Sequence, residues 1–311
     1  MGSEILIVSE SFDKSAQNIM EWLYFYGEKN TRKNVDTDFE QFYIKISNNS
    51  LQTSLTNKFI LNRRGYVPLM PQELKKTIWG DYLKREQLPV LFYLENLNKS
   101  NYIGSYNQEF SNNKILNLRL AADSGLKIPN TIVTNNKENL LQFIEKGKKY
   151  ITKSIYISPY IETTKESYYG NGTIELDTNN ISENFAPSLV QEYIEKEIEI
   201  RVFFIQDTFY SMAIFSQKNI KTKIDFKNYD KENPNRNVPF LLPDEILTSI
   251  KRFIKKTDSN TGSIDLILRP TGDYVFLEIN PMGQYDWLSE NCNYYIDKKI
   301  AEILINESKY E

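Results

Sequence analysis

Two apolar segments near the C-terminal end of the chain constrain its fold more than any other feature. Residues 264–268 and 274–279 are rich in Ile, Leu, Val and Phe, and a Thr-Gly pair at 271–272 between them is typical of a tight hairpin turn. If this pair forms the turn, Asp265 lies directly opposite Glu278, because both are the same number of positions from it. The pattern therefore predicts an antiparallel ribbon that carries facing carboxylates.

Converging oxygen atoms on this ribbon indicate a metal site. Asn280 lies two residues after Glu278, so its side chain points to the same face. Carboxylate and amide oxygens are the ligands that Mg²⁺ or Mn²⁺ prefers, usually with phosphate completing the coordination. Facing carboxylates also destabilise a strand pair unless a cation neutralises them. An exposed hairpin with solvated acids is the alternative, but the apolar residues around the three polar ones favour the metal site.

Composition excludes several classes of catalytic site. The 311-residue chain has no histidine and a single cysteine, Cys292. Ser-His-Asp triads, Cys-His pairs, zinc fingers, iron–sulfur clusters and intrachain disulfides are therefore excluded. Any chemistry must come from carboxylates, Lys, Arg, amides, hydroxyls, the backbone or a bound cofactor.

Charge and hydropathy predict a cytoplasmic protein that binds neither nucleic acid nor membranes. The 38 Lys and Arg against 41 Asp and Glu give a net charge of −3, so the chain has no overall basic field to attract nucleic acid. No apolar run approaches the roughly 18 residues that a membrane span needs, and the N-terminus lacks the features of a signal peptide.

The order of apolar segments predicts three domains and an α/β fold class with an α+β C-terminal part. Residues 1–105 alternate apolar runs with helical patterns, which is typical of a small α/β domain with a largely parallel sheet. Residues 106–189 combine helices and strands in a central domain. Residues 190–311 consist mostly of antiparallel strands, followed by a closing helix.

Three motifs resemble the ATP-grasp superfamily of carboxylate–amine (or alcohol) ligases: Gly-Ser-Ile-Asp at 262–265, Leu-Glu-Ile-Asn-Pro at 277–281 and Val-Gln-Glu-Tyr-Ile at 190–194. Stretches at 113–129 and 216–243 are similar to peptide maturases of the microviridin (graspetide) type, particularly the grasp-with-spasm group. The resemblance extends over the whole chain. It implies an ATP-grasp fold with a Rossmann-like N-terminal pre-grasp domain, a central lid domain and a C-terminal antiparallel-sheet grasp domain.

By position, the resemblance implies a nucleotide–metal site. Asp265, Glu278 and Asn280 would hold two Mg²⁺ ions against the phosphates of ATP, with Mn²⁺ as the alternative metal. Arg201 and Arg236 would act near the transferred phosphoryl group. The nucleotide-binding residues would be Lys114 and Lys153 at the phosphates, Gln191, Glu192, Tyr193 and Ile194 at adenine, and Glu199 at ribose.

From the residues alone, plainer interpretations stay open. Lys114 suits a surface position at a helix start and Lys153 a charged strand edge, while 198–204 suits an amphipathic strand with a solvated Glu/Arg face. After an Asp-Phe pair, where the family tends to have arginine, this chain has Lys227, which lacks the bidentate fork of arginine.

Two further elements resemble the same group. Arg63-Arg64 follows a predicted strand and suits either an acidic substrate or a solvated strand end. The glycine-bearing segment at 170–173 resembles a phosphate-covering lid, as many surface turns do.

The resemblance implies an ATP-dependent peptide ligase or macrocyclase. It would convert Asp or Glu side chains of a ribosomal precursor peptide to acyl phosphates and join them to Thr or Ser hydroxyls (ω-ester) or Lys amines (ω-amide). The implied partners are the leader and core of that precursor and a second copy of the chain in a homodimer. The alternatives are a ligase that adds free amino acids and a non-catalytic ATP-binding regulatory protein. With no imidazole available, a protein carboxylate or the reacting phosphate would take the proton of a hydroxyl nucleophile.

Overall fold

The computed structural model of the chain describes residues 4–54, 58–97, 99–156, 160–162, 166–169, 172–228 and 230–309. Gly170 and Asn171 of the lid-like segment lie outside the described residues, so that interpretation stays a prediction. In the described part of the chain, none of the helices is both long and apolar enough to cross a bilayer.

The N-terminal region contains a parallel sheet of four strands in the order β2-β1-β5-β6, with β3 and β4 paired in a separate hairpin. The Asp13 carboxylate caps the first helix by accepting from the N–H groups of Ser15 and Ala16. The elements are β1 (Glu4–Ser9), α1 (Lys14–Phe25), β2 (Asn30–Asn34), β3 (Ile44–Ser47), β4 (Ser50–Thr53), β5 (Lys58–Asn62), α2 (Gln72–Lys75), α3 (Gly80–Leu97), a 3₁₀ helix (Lys99–Asn101) and β6 (Tyr102–Ile103).

The central region contains an antiparallel sheet in the order β11-β8-β12-β7. Asn113 caps the helix that carries Lys114, since its side chain accepts from the N–H groups of Ile115 and Leu116. The elements are α4 (Tyr106–Phe110), α5 (Lys114–Ala122), β7 (Thr131–Asn136), α6 (Lys137–Phe143), β8 (Tyr150–Lys153), β9 (Tyr160–Glu162), β10 (Ser167–Tyr169), β11 (Thr173–Glu175) and β12 (Asn184–Glu192).

The C-terminal region is built on a five-stranded antiparallel sheet in the order β15-β14-β13-β16-β17. This mixture of parallel and antiparallel sheets confirms the predicted α/β class with an α+β C-terminal part, whereas the exact domain boundaries stay a prediction. The elements are β13 (Ile198–Ile205), β14 (Thr208–Phe215), β15 (Arg236–Pro239), α7 (Asp244–Thr257), β16 (Thr261–Leu268), β17 (Tyr274–Pro281), α8 (Asp286–Cys292) and α9 (Ile296–Lys309).

The central strand β13 is buried along its whole length, because both faces of its sheet are covered. Phe203 and Ile205 belong to an apolar cluster with residues of α1 and α9, whereas side chains of the opposite parity pack with α5 and α7. Glu199 and Arg201 share the parity of Phe203 and Ile205 but lie in the first half of the strand. One face of the sheet is thus apolar in one half and polar in the other, and the candidate site occupies the polar half.

Candidate active site

The β16–β17 hairpin pairs Asp265 with Glu278, as the sequence predicts, but it does so through a different turn. The N–H of Arg269 donates to the carbonyl of Asp273, so residues 270–272 form a three-residue loop, with Gly272 at φ 84°. The register then shifts by one residue between the Asp265 pair and the next one. The longer loop and the bulge offset each other, and for this reason the predicted pairing holds.

Asn280 completes the predicted group of oxygen ligands. Its amide Nδ2 donates to Glu278 Oε1 at 3.4 Å, which confirms that the two side chains share a face. Asp265 Oδ2 is buried and forms no hydrogen bond with any described residue. No cluster of three or more Asp, Glu or Cys side chains suited to a metal occurs among the described residues. Because the described residues of this hairpin offer only two carboxylates and one amide oxygen on this face, they fit a hard cation that takes its remaining ligands from phosphate or water.

Basic side chains surround the two carboxylates. Arg201 Nη1 lies 2.6 Å from Asp265 Oδ1, and the two side chains are 7% and 5% exposed. Lys227 Nζ donates to Glu278 Oε1 and lies 3.2 Å from Asp265 Oδ2 without forming a hydrogen bond there. Lys114 Nζ lies 3.9 Å from Glu278 Oε2. Side chains from three separate segments thus supply the positive charge that the facing carboxylates require.

This environment shifts the ionisation of the acids and the lysines. Burial raises the pKa of Glu278, but Lys227, Lys153 and Lys114 together outweigh burial and hold that pKa well below its ordinary range. Burial also lowers the pKa of Lys153, which Glu278 and Asp265 only partly restore. The Glu278 carboxylate is therefore ionised at neutral pH, as a metal ligand would need to be.

A cleft between the central and C-terminal sheets brings together most of the predicted nucleotide-binding residues. Pro129, Ile151 and Leu277 supply apolar walls for a flat ring. Lys114 lies outside this cleft, in the adjoining cavity, but close to Glu278. The predicted residues that line the cleft are Lys153, Gln191, Glu192, Tyr193, Ile194, Glu199, Asp265 and Glu278.

The segment between β12 and β13 lines the cleft, and hydrogen bonds already engage part of its backbone. The N–H of Tyr193 donates to the carbonyl of Lys149 at 2.8 Å, and that of Glu192 donates to Asn130 at 3.0 Å. The Glu192 carboxylate also binds Asn130, through the backbone N–H and Nδ2, each at 3.0 Å. Within the described residues, the N–H of Ile194 has no partner. The geometry therefore favours the Ile194 N–H as a donor to a base, whereas the Glu192 carboxylate already accepts from Asn130.

Glu199 is 4% exposed, and only one of its oxygens is engaged. Lys196 forms an ion pair with Oε1, and the Ser216 hydroxyl donates to the same atom at 3.2 Å. Oε2 is buried and has no hydrogen-bonding partner in the described part of the chain. A buried carboxylate oxygen beside the cleft is suited to accept from a hydroxyl group. The sequence interpretation did not include Lys196, whose only signal is a lysine just before an apolar strand.

Arg236 is not brought to the carboxylates. It lies opposite Phe215 in the β14–β15 pair, and its guanidinium lies 5.4 Å from the centre of that ring. The next residue, Asn237, lies opposite Ile214, and Ile214 is opposite Glu199. Since strand side chains alternate, Asn237 shares the face of the site and Arg236 points to the other face. The catalytic role of Arg236 stays a prediction from resemblance, and this position does not support it.

A second cavity, of about 550 Å³, adjoins the cleft and shares Glu278 with it. Arg64, Lys114, Arg201 and Lys227 line it, together with Glu278. Because four basic side chains face only two described acids, Glu109 and Glu278, this cavity is suited to an anionic group. Lys227, which sequence reasoning regarded only as a departure from the family pattern, lines both the cleft and this cavity.

The two arginines of the Arg63-Arg64 element have different positions. Arg63 is 3% exposed and donates to the carbonyl of Met282 and to the Ser15 hydroxyl, at 3.1 and 3.0 Å. It therefore supports the turn that follows Asn280, whereas Arg64 lines the second cavity. Neither arginine is simply a solvated strand end.

Comparison with known proteins assigns this architecture. The RimK-like ATP-grasp domain family matches residues 111–304. An uncharacterised protein of Methanocaldococcus jannaschii is 27% identical over 205 residues, which cover 64% of this chain and 46% of that protein. The chain thus spans about half the length of this curated relative.

Two solved structures share the fold over nearly the whole chain. One is a RiPP-associated ATP-grasp ligase from Chryseobacterium gregarium, solved in complex with ADP, a leader peptide and a core peptide. It superposes with a TM-score of 0.83 at 23% identity, and the match covers 98% of this chain and 97% of that one. The macrocyclase MdnC from Microcystis aeruginosa, bound to its precursor peptide MdnA, gives a TM-score of 0.75 at 24% identity, with coverages of 97% and 99%.

Proposed function

Because the chain belongs to the RimK-like ATP-grasp family, we propose that it is an ATP-dependent peptide macrocyclase. It activates Asp or Glu side chains of a ribosomal precursor and joins them to Thr or Ser hydroxyls, or to Lys amines, of the same peptide. One observation carries the proposal. Glu278 lines both the cleft and the basic second cavity, so that a phosphoryl group held there is accessible from either side.

On the cleft side, the described residues match the parts of ATP. The Ile194 N–H and the apolar walls suit adenine, the unpartnered Glu199 Oε2 suits a ribose hydroxyl, and Lys153 suits the phosphates. Asp265, Glu278 and Asn280 would hold Mg²⁺, or Mn²⁺, as one or two ions. The metal, when bound, neutralises the phosphate charge so that an anion can approach.

On the other side, the second cavity suits the peptide carboxylate. Arg64 and Lys114 attract and orient it, and Arg201 keeps Asp265 in position through their ion pair. A carboxylate oxygen attacks the γ-phosphorus of ATP, and the bond to ADP breaks. A hydroxyl or amine of the same peptide then attacks the acyl carbon, and phosphate leaves. Such chemistry depends mainly on positioning and charge neutralisation. The similar solved structures that contain leader, core or precursor peptides support this substrate class.

Mass spectrometry of a precursor peptide tests the proposal. A short peptide encoded beside the gene, rich in Thr and acidic residues, is incubated with the enzyme, ATP and Mg²⁺. We expect the peptide mass to fall by one water for each ring, and one ADP to be released for each ring. An unchanged peptide mass, with ATP still consumed, would contradict macrocyclisation.

The other outcomes separate the remaining functions. A gain in mass equal to an added amino acid would identify a ligase for free amino acids, whereas ATP binding without peptide-dependent ADP release would identify a regulatory protein. Formation of a homodimer and binding of the leader by residues 106–189 stay predictions from resemblance. Light scattering and leader-binding measurements test them.

A further inference from the structure

Ring closure by a hydroxyl requires a proton acceptor, and the chain contains no histidine to serve as one. A protein acceptor, as distinct from the reacting phosphate, would line the second cavity, because the nucleophile and the activated carboxylate meet there under the proposed function. The described titratable side chains of this cavity are Arg64, Tyr106, Glu109, Lys114, Tyr156, Arg201, Lys227 and Glu278.

Most of these groups are unsuitable as a base. The arginines are always protonated, and Lys227 is engaged by the carboxylates of Glu278 and Asp265. Burial raises the pKa of Tyr106 to about 12, which keeps this phenol protonated at neutral pH. Glu278 is committed to Lys227 and, under the proposed function, to the metal. Glu109 is the remaining carboxylate among the described residues of the cavity.

Glu109 has a defined position beside the metal-ligand strand. It lies in the last turn of α4, and the chain that follows is attached to β17 by Asn112, whose Nδ2 donates to the carbonyl of Ile279 at 3.2 Å. Asn117 in turn donates to the Asn112 side chain at 2.7 Å. Since Ile279 lies between Glu278 and Asn280, this contact holds the end of α4 against the wall of the cavity nearest the carboxylate pair.

The Glu109 side chain is also uncommitted. It is half-buried, and its carboxylate forms no hydrogen bond or ion pair with the part of the chain that the structure describes. Burial raises its pKa above the ordinary value, although Arg64 and Arg63 nearby partly oppose this. A carboxylate with a raised pKa accepts a proton more readily than an ordinary one, as general base catalysis requires.

We propose that Glu109 is the general base of ring closure. This inference rests on the proposed function. As the hydroxyl oxygen of the peptide bonds to the acyl carbon, its proton passes to the Glu109 carboxylate. The bond between that carbon and the phosphate oxygen breaks, and phosphate leaves with the electron pair. The protonated Glu109 then releases its proton to solvent. For a Lys nucleophile, Glu109 takes the proton that the ammonium must lose before it attacks.

The experiment separates activation of the carboxylate from closure of the ring. Wild type, Glu109→Gln and Glu109→Asp are incubated with the precursor, ATP and Mg²⁺, with and without hydroxylamine. Hydroxylamine attacks acyl phosphates as a neutral molecule at pH 7, so it requires no enzyme base. Glu86→Gln, on the exposed surface of α3, is the matched control for loss of one carboxylate charge.

In Glu109→Gln, we expect peptide hydroxamate to form within about twofold of the wild-type rate, while ring formation falls by about 10²–10⁴-fold. Glu109→Asp should retain part of the ring formation, and Glu86→Gln all of it. If Glu109→Gln forms rings at the wild-type rate, this inference is overturned and the proposed function is not affected. Equal loss of hydroxamate and rings in both Glu109 variants, with unchanged thermal unfolding, would also overturn it. If the wild-type enzyme forms neither hydroxamate nor rings, the proposed function is overturned together with this inference.

Discussion

Replacing Arg201 by Met is the most direct test of how the charges at the candidate site are balanced. The guanidinium forms a 2.6 Å ion pair with Asp265, and both side chains are almost fully buried. Methionine approximates the stem of arginine in length and removes only the charge and the donors. The variant therefore leaves Asp265 as a buried carboxylate without its nearest cation.

The structure allows the size of the effect to be worked out. Removing one member of a buried ion pair costs about 3–5 kcal/mol, because the remaining charge is left uncompensated. Two features favour the lower end of this range. Lys227 lies 3.2 Å from the other Asp265 oxygen, and Arg201 Nε is itself buried without a hydrogen-bonding partner among the described residues. We expect Arg201→Met to lower the free energy of unfolding by about 3 kcal/mol.

Thermal and urea unfolding without nucleotide measure this loss. With about 2 °C for each kcal/mol in a chain of this size, the melting temperature should fall by about 6 °C. Arg119→Met is the matched control, because Arg119 forms a 3.0 Å ion pair with Asp123 in which the side chains are 77% and 42% exposed. That control should change stability by less than about 1 kcal/mol.

The double variant Arg201→Met/Asp265→Asn separates loss of the pair from loss of packing. It should be more stable than Arg201→Met by about 1–2 kcal/mol, since the unpaired charge is gone. A single variant within about 1 kcal/mol of wild type would refute the reasoning. Additive losses in the double variant would refute it too.

Three other substitutions test the remaining assignments. Glu278→Gln should abolish ring formation and Mg²⁺-dependent nucleotide binding. The pKa of Glu278 is held below its ordinary 4.5, so its charge stabilises the fold above that pH, and this stabilisation is lost as pH falls below 4.5. The variant should therefore lack this part of the acid-induced loss of stability. Glu199→Gln should weaken binding of ATP by about tenfold in calorimetry, as expected for a lost hydrogen bond to a charged group, whereas binding of inorganic triphosphate should not change; equal effects on both would exclude a ribose contact. Arg236→Ala should form rings at the wild-type rate, since its guanidinium lies against Phe215, and a rate lowered by more than about tenfold would support the role that the resemblance implies.

Prediction from the residues succeeded where contacts are local in the chain. Asp265 and Glu278 are joined by a short hairpin, so that alternation along each strand was enough to predict their pairing. The two-residue turn was wrong, because loop length and a bulge cannot be read from alternation alone. The Thr-Gly pair is equally compatible with a loop of two or three residues.

Prediction was weaker where a residue follows a long irregular segment. Arg236 comes after the loop that follows β14, and its face is decided by the register of β15 on β14. A shift of one residue reverses the face of every side chain in a strand. The resemblance implies a role for Arg236, whereas the alternation puts its neighbour Asn237 on the face of the site.

The sequence by itself determined the order of the elements, the hairpin that carries the oxygen ligands, and the exclusion of imidazole and thiolate chemistry. Only the tertiary structure decided which cations neutralise those ligands. Lys114 begins a helix, Lys153 ends a strand and Lys227 lies in the loop between β14 and β15, and all three affect the ionisation of Glu278. The reason is physical: periodicity along the chain reports which face a side chain occupies, whereas the meeting of distant charges depends on how separate sheets and helices pack.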